Sequence, residues 1–417
     1  MTQRVNISRR GFIKTGIALA AAPLIVPARV FGANDRLGIG FIAVGRRGLQ
    51  LKADFLEVAK KGNAQIVAVS DLYKKRMDEA CKDETWGKYQ DYKELLQDKN
   101  VDAVIVSTPD HWHTLPSIHA CQAKKDVYCE KPLTLTIREG RALVTAARKH
   151  KCIVQTGSQQ RSMDKCRLGC ELIRNGRIGK VSVIHTSIYP SPWECTLPEE
   201  PAPDGLNWDA WCGQTQPRPY HKDLYLPRAN PGWISFRPYS GGEMTGWGAH
   251  GLDIIQWAMG MDNSGPVEVW AEEGDPLTRP VVMKYANGTI VRFDEKEQTG
   301  GGLFEGENGK IRIDRGKVEA TPKDLATEPL KDSDIHLYKS ENHMLNWLEC
   351  IRTRELPVAD VEIGHRSATM CHLGNIARWT GRKMQWDPEK EVFVNDDNAN
   401  TYIERPMREP YGIPKEI

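Results

Sequence analysis

Residues 40–48 read GFIAVGRRG, and the fold turns on how this stretch is taken. It closes an apolar run, 37–42, and places Gly45 and Gly48 three residues apart. The segment 48–61 follows, with apolar side chains at Leu49, Ala53, Leu56 and Val58, and it ends at Gly62. A short apolar run reads as a buried strand and the spaced apolar positions as a helix, so the glycines fall on a strand-to-helix turn. The unit then repeats. A strand at 66–69 precedes a helix at 74–82, and VDAVIVS (101–107) precedes a helix near 115–124. A short strand at 127–129 leads to Thr136-Ile137-Arg138-Glu139, a capping box that opens a helix to about residue 149, and 152–155 is a further strand. Strands and helices alternating at this spacing form right-handed βαβ units around a parallel sheet. The expected class is α/β.

In that setting AVGRRG (43–48) has the form of a dinucleotide-binding turn, with Ala43 where the first glycine usually stands. Gly45 lets phosphates approach the backbone and Gly48 lets the helix pack closely on the sheet. Val44, Arg46 and Arg47 bring N–H groups to the start of the helix, where a pyrophosphate is held. The acid required at the end of the second strand is Asp71, in VAVSDLYKKR. A carboxylate there accepts from ribose hydroxyls and repels a 2′-phosphate, which favours NAD; Lys74, Lys75 and Arg76 just beyond leave NADP open. Two further stretches end strands: STPDHWH, with Ser107, Thr108, Pro109 and His113, and YCEKPLT, with Glu130 and Lys131. Open α/β sheets bind their ligands at such carboxyl ends.

Glu130-Lys131-Pro132 is followed in order by VQTGSQQRS (154–162), GRIGKV (176–181), LNWDAWCG (206–213) and GGEMTGWGAHGLDIIQW (241–257). This series resembles the glucose–fructose oxidoreductase / inositol dehydrogenase (Gfo/Idh/MocA) family, and especially its exported members with the Thr-Pro-Asp-His-Trp-His form. The resemblance covers essentially the chain after residue 33. It implies a Rossmann domain, 34–157, and a C-terminal α/β domain, 158–417, for substrate binding and oligomerisation, with a large open, mostly antiparallel sheet facing the nicotinamide. Strand patterns at 181–188, 267–271, 281–285, 289–293 and 310–314, and helical ones at 341–354 and 364–380, agree with it. The implied activity is NAD(P)-dependent hydride transfer with a sugar, glycoside or polyol, by a homo-oligomer.

The match gives Lys131 the family's place beside the nicotinamide and the reacting hydroxyl, with a cis Lys131–Pro132 bond. Partial burial and a neighbouring positive ring lower an ammonium's pKa towards proton exchange. The family's second catalytic element is an Asp and a His four residues apart on a helix. His250 supplies the histidine, as acid–base or hydroxyl-binding group, but Gly246 stands where the aspartate should be, and Asp253 lies too far along to replace it. That departure admits two other readings. One is a glycosidase or lyase that oxidises a sugar transiently, eliminates the glycosidic bond and returns the hydride; the other is a non-catalytic sugar-binding protein. The irregular stretch 191–240 holds Trp193, Trp208, Trp211, Tyr220 and Trp233, rings of the kind that stack on sugar C–H faces, with Trp208 and Trp211 expected mainly in packing. His221 and Arg237 are the polar partners there, and Arg161 is assigned to the substrate side.

Composition narrows the remaining classes. With 40% hydrophobic and 27% charged residues in 417, the chain is that of a soluble globular protein. Its 57 basic residues nearly balance 55 acidic ones and form no basic stripe, which argues against a nucleic-acid partner. Residues 1–33 are set apart by five basic residues and no acid. Ser8-Arg9-Arg10-Gly11-Phe12-Ile13-Lys14 is a twin-arginine sequence, and the apolar run 16–26 behind it falls short of the ~20 residues that span a bilayer. This reads as an address for the twin-arginine export machinery, giving a periplasmic protein exported folded and without a stable membrane anchor. Ten cysteines in an exported chain suggest disulfides. A chain folded before export acquires its structure in the reducing cytosol, so free thiols and no structural metal are expected.

Overall fold

A computed structural model describes residues 36–417 except 83, 226–231 and 297–298. The twin-arginine stretch lies outside the described residues. Strands β1 (Leu37–Ile42), β2 (Ala64–Ser70), β3 (Gly87–Tyr89), β4 (Ala103–Val106), β5 (Asp126–Cys129) and β6 (Val154–Thr156) form one sheet in the order β3-β2-β1-β4-β5-β6. Every pair in it is parallel. This is the doubly wound order, whose reversal between β1 and β4 opens a crevice at the carboxyl ends of the strands. Strands β1, β4 and β5 are buried along their whole length, because βαβ crossovers put helices on both faces of a parallel sheet.

The helix Arg46–Ala59 follows β1 as expected, and the capping box opens the helix Ile137–His150. Thr136 Oγ1 accepts from Glu139 N at 3.3 Å, while the Glu139 carboxylate reaches back to Leu135 N at 3.0 Å, one residue before the cap.

A second sheet holds β7 (Val181–Ser187), β8 (Glu268–Ala271), β9 (Val281–Lys284), β10 (Ile290–Glu295), β11 (Gly302–Gly306), β12 (Gly309–Asp314), β13 (Lys317–Thr321), β14 (Met384–Asp387) and β15 (Val392–Phe393). Its order is β13-β12-β11-β7-β10-β9-β8-β14-β15. Only β7 and β10 pair in parallel; the remaining pairs are antiparallel. The helices Asp164–Arg174, Gly248–Met259 and Val361–Thr380 pack with it around one apolar core that includes Ile254, Ile255, Phe293, Phe304 and Met370. Burial alternates along β10 and β11, the mark of a sheet with one covered face. All ten cysteines are buried and free, and no helix among the described residues is long and apolar enough to cross a membrane.

The departure at Ala43 has a conformational cost. Ala43 sits at φ +70°, held by Ala43 N donating to Ser70 O at 2.8 Å and by Ser107 Oγ donating to Ala43 O at 2.8 Å. The turn therefore keeps the glycine conformation without the glycine. A left-handed alanine costs about 1–2 kcal/mol, and glycine gives back up to about 1 kcal/mol as unfolded-chain entropy. Ala43→Gly is expected to stabilise the protein by about 0.5–1 kcal/mol in denaturant unfolding. A lower midpoint would show that the turn does not carry this strain.

Candidate functional site

A cleft of about 770 Å³ opens at the carboxyl ends of β1, β2, β4 and β5, and it is walled by both halves of the chain. At its nucleotide end the helix Arg46–Ala59 starts from Gly45 with no side-chain cap and no acid in its first turn. Its leading N–H groups and the positive end of its dipole are thus presented to an anion. A Cβ on Gly48 would lie 2.5 Å from Ala43 O and 3.0 Å from Ser107 Oγ, so helix–sheet packing demands glycine there. Asp71 lies on the wall of the cleft, where its carboxylate accepts from Val44 N and Tyr73 N, each at 2.9 Å. Burial pushes its pKa up, against the pull of these two N–H groups and of Arg76. Uncapped helix start, close-packed Gly48 and ribose-side Asp71 together fit a dinucleotide.

Val44 departs from its expected part: its N–H is given to Asp71 and its side chain is buried. Arg47 and Glu130, both expected at the cofactor, line the cleft but are bound to each other. Arg47 Nε and Nη2 reach Glu130 Oε1 at 2.9 and 2.8 Å, and Gln159 Nε2 donates to the same oxygen at 3.1 Å. Burial pushes the Glu130 carboxyl up, but Arg47 and Lys131 outweigh it and hold the pKa below the ordinary value. The pair ties the Lys131 loop to the nucleotide turn. His113 does the same between strand ends: Nδ1 lies 2.6 Å from Pro132 O and Nε2 2.9 Å from Thr108 O. Arg46, Ser107, Thr108 and Pro109 are on the cleft wall as expected.

Lys131 precedes a cis peptide bond to Pro132, as the resemblance implied. Its Nζ donates to Gly246 O at 2.9 Å, which puts the ammonium where the two halves of the chain meet. Gly246 lines the cleft beside it. His250, one helical turn on, is buried with its ring 5.9 Å from that of Trp247.

Four residues assigned to the substrate are placed elsewhere. Arg161 is 1% exposed, with Nε 2.9 and 2.8 Å from the two Asp253 oxygens and Nη2 2.7 Å from Asp262 Oδ1. A guanidinium stripped of water requires such carboxylates, and these bind it to the helix Gly248–Met259 and the turn after it, away from the cleft. Asp253 also accepts from Ser367 Oγ at 2.7 Å, so its carboxylate is engaged by Arg161 and Ser367. Trp193 packs on Phe236 at the surface. His221 faces Glu200 and Asp223, and Arg237 lies 4.1 Å over the Trp379 ring.

The aromatic stretch is instead a small core of its own, with Cys195, Trp211, Tyr225, Phe236 and Tyr239 buried together and Trp208 stacked on Trp211 at 4.5 Å. It is laid over the nucleotide half by a Tyr73–Leu206 bridge and by Lys74 N donating to Gly205 O. From it Trp211, Tyr225 and Trp233 reach the cleft. The C-terminal tail adds Tyr411, packed on Trp112, and Arg408, which holds Gly213 O and Asp209. Arg76, read from the sequence as leaving NADP open, is on the cleft wall; Tyr225, Tyr411 and Asp110 are cleft residues that sequence reasoning missed, and of these only Asp110 carried a signal, standing inside STPDHWH. Among the described residues no cluster of His, Cys, Asp and Glu could hold a metal.

A doubly wound nucleotide domain whose cleft is completed by residues of a C-terminal α/β half, with a lysine at their junction, defines a nicotinamide-dependent oxidoreductase. The chain belongs to the Gfo/Idh/MocA oxidoreductase family. The family's NAD-binding Rossmann fold matches residues 37–158, and its C-terminal alpha/beta domain matches 187–413. An uncharacterised oxidoreductase of Bacillus subtilis is 23% identical over 76% of this chain and 86% of its own length. Myo-inositol 2-dehydrogenase of Thermotoga maritima is 35% identical, over 37% of this chain and 46% of its own length. In fold, the chain is similar to the WlbA dehydrogenase of Bordetella pertussis in complex with NADH and UDP-GlcNAcA. That likeness has a TM-score of 0.61 at 17% identity, covering 85% of this chain and 99% of the other.

Proposed function

We propose that this protein transfers hydride between a tightly held NAD and a hydroxyl of a sugar, glycoside or polyol, and that it does so outside the cytoplasm after twin-arginine export as a folded holoprotein. The observation that carries the chemistry is the Lys131 ammonium on Gly246 O, in the same cleft as the dinucleotide turn. The names of a relative and a structural neighbour, one an inositol dehydrogenase and one holding a nucleotide sugar, support the substrate class.

NAD, when bound, supplies the site that accepts or returns the hydride. The start of the helix Arg46–Ala59 holds its pyrophosphate and Asp71 its ribose, while Trp211, Tyr225 and Tyr411 keep water from the cleft. Lys131 Nζ, as the free amine, would take the proton from the substrate hydroxyl as hydride leaves the carbon and, as the ammonium, would return it in the reverse direction, with His250 as acid–base partner. An ammonium offers three donors, so the Gly246 bond and a substrate hydroxyl are served together. In this reading residues 1–33 are the signal, 34–157 hold the cofactor, 158–417 hold the substrate, and the protein works as a homo-oligomer.

Export imposes the cofactor's affinity. The periplasm has no appreciable pool of free NAD, so a cofactor that dissociates is not replaced. Retention calls for roughly nanomolar affinity, about −12 kcal/mol, and turnover must be redox-neutral, one substrate being oxidised as another is reduced. Protein isolated from the periplasm and denatured is expected to release about one NAD(H) per chain. Protein that emerges empty and works only with added NAD would overturn the closed cycle, and protein retained in the cytoplasm would overturn the address.

A further inference from the structure

The segment 404–417 starts from one half of the chain and lies along the other. Just before it, Ala399 and Ile403 are buried in the core of the large sheet, whereas Tyr411, Ile413 and Ile417 pack against the core of the nucleotide half. On the way Arg405 Nε donates to Glu139 Oε1 at 2.8 Å, and Nη2 to His111 O at 3.3 Å. Arg408 then grips the aromatic stretch. Its Nε donates to Gly213 O at 2.7 Å, Nη1 to Asp209 Oδ1 at 2.9 Å and Nη2 to Asp209 O at 2.6 Å. Further along, Gln122 Nε2 donates to Glu416 O at 3.0 Å. The segment is thus tied down on both sides of Tyr411, its residue on the cleft wall.

A chain of contacts leads from Asp71 to Tyr411. Asp71 N donates to Tyr89 O at 3.3 Å, at the end of β3. Three residues on, the Tyr92 ring lies 5.9 Å from that of Trp112, and the Trp112 ring 5.4 Å from that of Tyr411, both edge to face. On the other flank of Asp71, Leu72 O accepts from Asn207 N at 3.0 Å, and the Arg76 guanidinium lies 4.4 Å over the Tyr225 ring. Leu72, Tyr92, Trp112, Tyr225 and Tyr411 all stand on the cleft wall. Next to the carboxylate that fits a ribose, the cleft is therefore walled by apolar and aromatic side chains, the surroundings a flat purine base takes.

We propose that Tyr411 is a cofactor-binding residue: carried in by the segment 404–417, it closes the adenosine end of the cleft over the adenine of NAD, and the cofactor leaves only when this segment lifts. The proposal rests on the reading of the cleft as a dinucleotide site, and it supplies the means by which NAD is held through export. The segment has no strand or helix of its own. Held by a few side chains, it is the part of the enclosure that opens without unfolding either half.

The test reads how fast holoprotein exchanges isotopically labelled NAD for unlabelled NAD in excess. Tyr411→Ala is expected to raise the off-rate about tenfold or more, since changes within one binding site act mainly on dissociation. Tyr411→Phe keeps the ring and should keep the native rate. An off-rate in Tyr411→Ala within about threefold of the native one, whatever the melting temperature does, overturns the proposal and leaves the dinucleotide site in place. A native protein that carries no dinucleotide, and binds none when it is added, removes the reading and the proposal together. A fluorescent etheno-adenine analogue of NAD, exchanged into the cleft, reports on the base itself: iodide should quench it more strongly in Tyr411→Ala. Equal quenching with a faster off-rate would put the effect elsewhere and overturn the assignment of Tyr411 to the adenine. Should Tyr411→Ala fail to fold, Arg408→Gln decides: an off-rate raised more than about threefold supports the proposal, and a native off-rate overturns it.

Discussion

A chain carrying Lys131→Ala is expected to hold NAD as the native protein does and to turn over at least about 10²–10⁴-fold more slowly, the span that a positioned acid–base group contributes. The loss should be confined to chemistry. The Lys131 side chain is half-buried, and its Nζ donates to the backbone carbonyl of Gly246. Breaking a hydrogen bond from a charged donor costs about 1.5–3 kcal/mol, within the stability of a protein this size. The dinucleotide turn, Asp71 and the Arg47–Glu130 hydrogen bonds are kept, since the lysine's own N–H, which donates to Glu130 Oε2 at 3.1 Å, survives the substitution; Glu130 loses the nearby Lys131 charge but keeps Arg47. Turnover, released NAD per chain and thermal unfolding, taken on one preparation, check all three statements. His250→Ala should lower the rate by about 100-fold on the same reasoning. Native rates in Lys131→Ala, on a substrate the native protein converts, would remove the lysine from the mechanism.

Acid is expected to unfold this protein early. Burial lowers the pKa of five histidines in the folded chain, three of which are His111, lowered to about 3, and His343 and His372, each lowered to about 4. Each of these three sets Nε2 against a backbone carbonyl, of Trp211, Thr156 and Thr134 respectively. In the unfolded chain they take up protons near pH 6.5, and in the folded chain only about 2.5 to 3.5 units lower. The unfolded state therefore binds more protons throughout that window. The stability is present in full above the unfolded value and is lost as pH falls from about 6.5 towards 4. At about 1.4 kcal/mol per unit for each histidine, three of them remove on the order of 6 kcal/mol by pH 5, a large part of a typical 5–15 kcal/mol. Burial raises the carboxyls of Asp71, Asp126 and Asp253, which work the other way at the acid end of the window. Urea midpoints at about pH 7.5, 6 and 5 should fall steeply, and a profile flat across this range would refute the account. His372→Asn should make the slope shallower.

Much of the nucleotide half was legible before any coordinates. The apolar run 37–42, the glycine spacing to Gly48, Asp71 at the end of β2 and the capping box at Thr136 are local patterns, and local patterns fix backbone geometry over a few residues. From them came the order of strands and helices, and with the family resemblance the place of Lys131. Strands β3, β11, β13, β14 and β15 escaped because short or alternating strands acquire their identity from the partners they pair with. The same limit explains Arg161. Beside a motif it reads as a substrate group, but Asp253 and Asp262, 92 and 101 residues further along, surround it and make it structural. The aromatic stretch 191–240 could be recognised as unusual, whereas which of its rings face the cleft and which fill a core was decided by its folding over the nucleotide half. Asp110 was visible in STPDHWH, but the Ser240 hydroxyl that its carboxylate accepts from lies 130 residues away. Sequence alone determined what the backbone does over one turn, one strand or one cap. Which charges meet, and which side chains are left facing a ligand, is set by contacts between residues far apart in the chain, and only the packed structure brings those together.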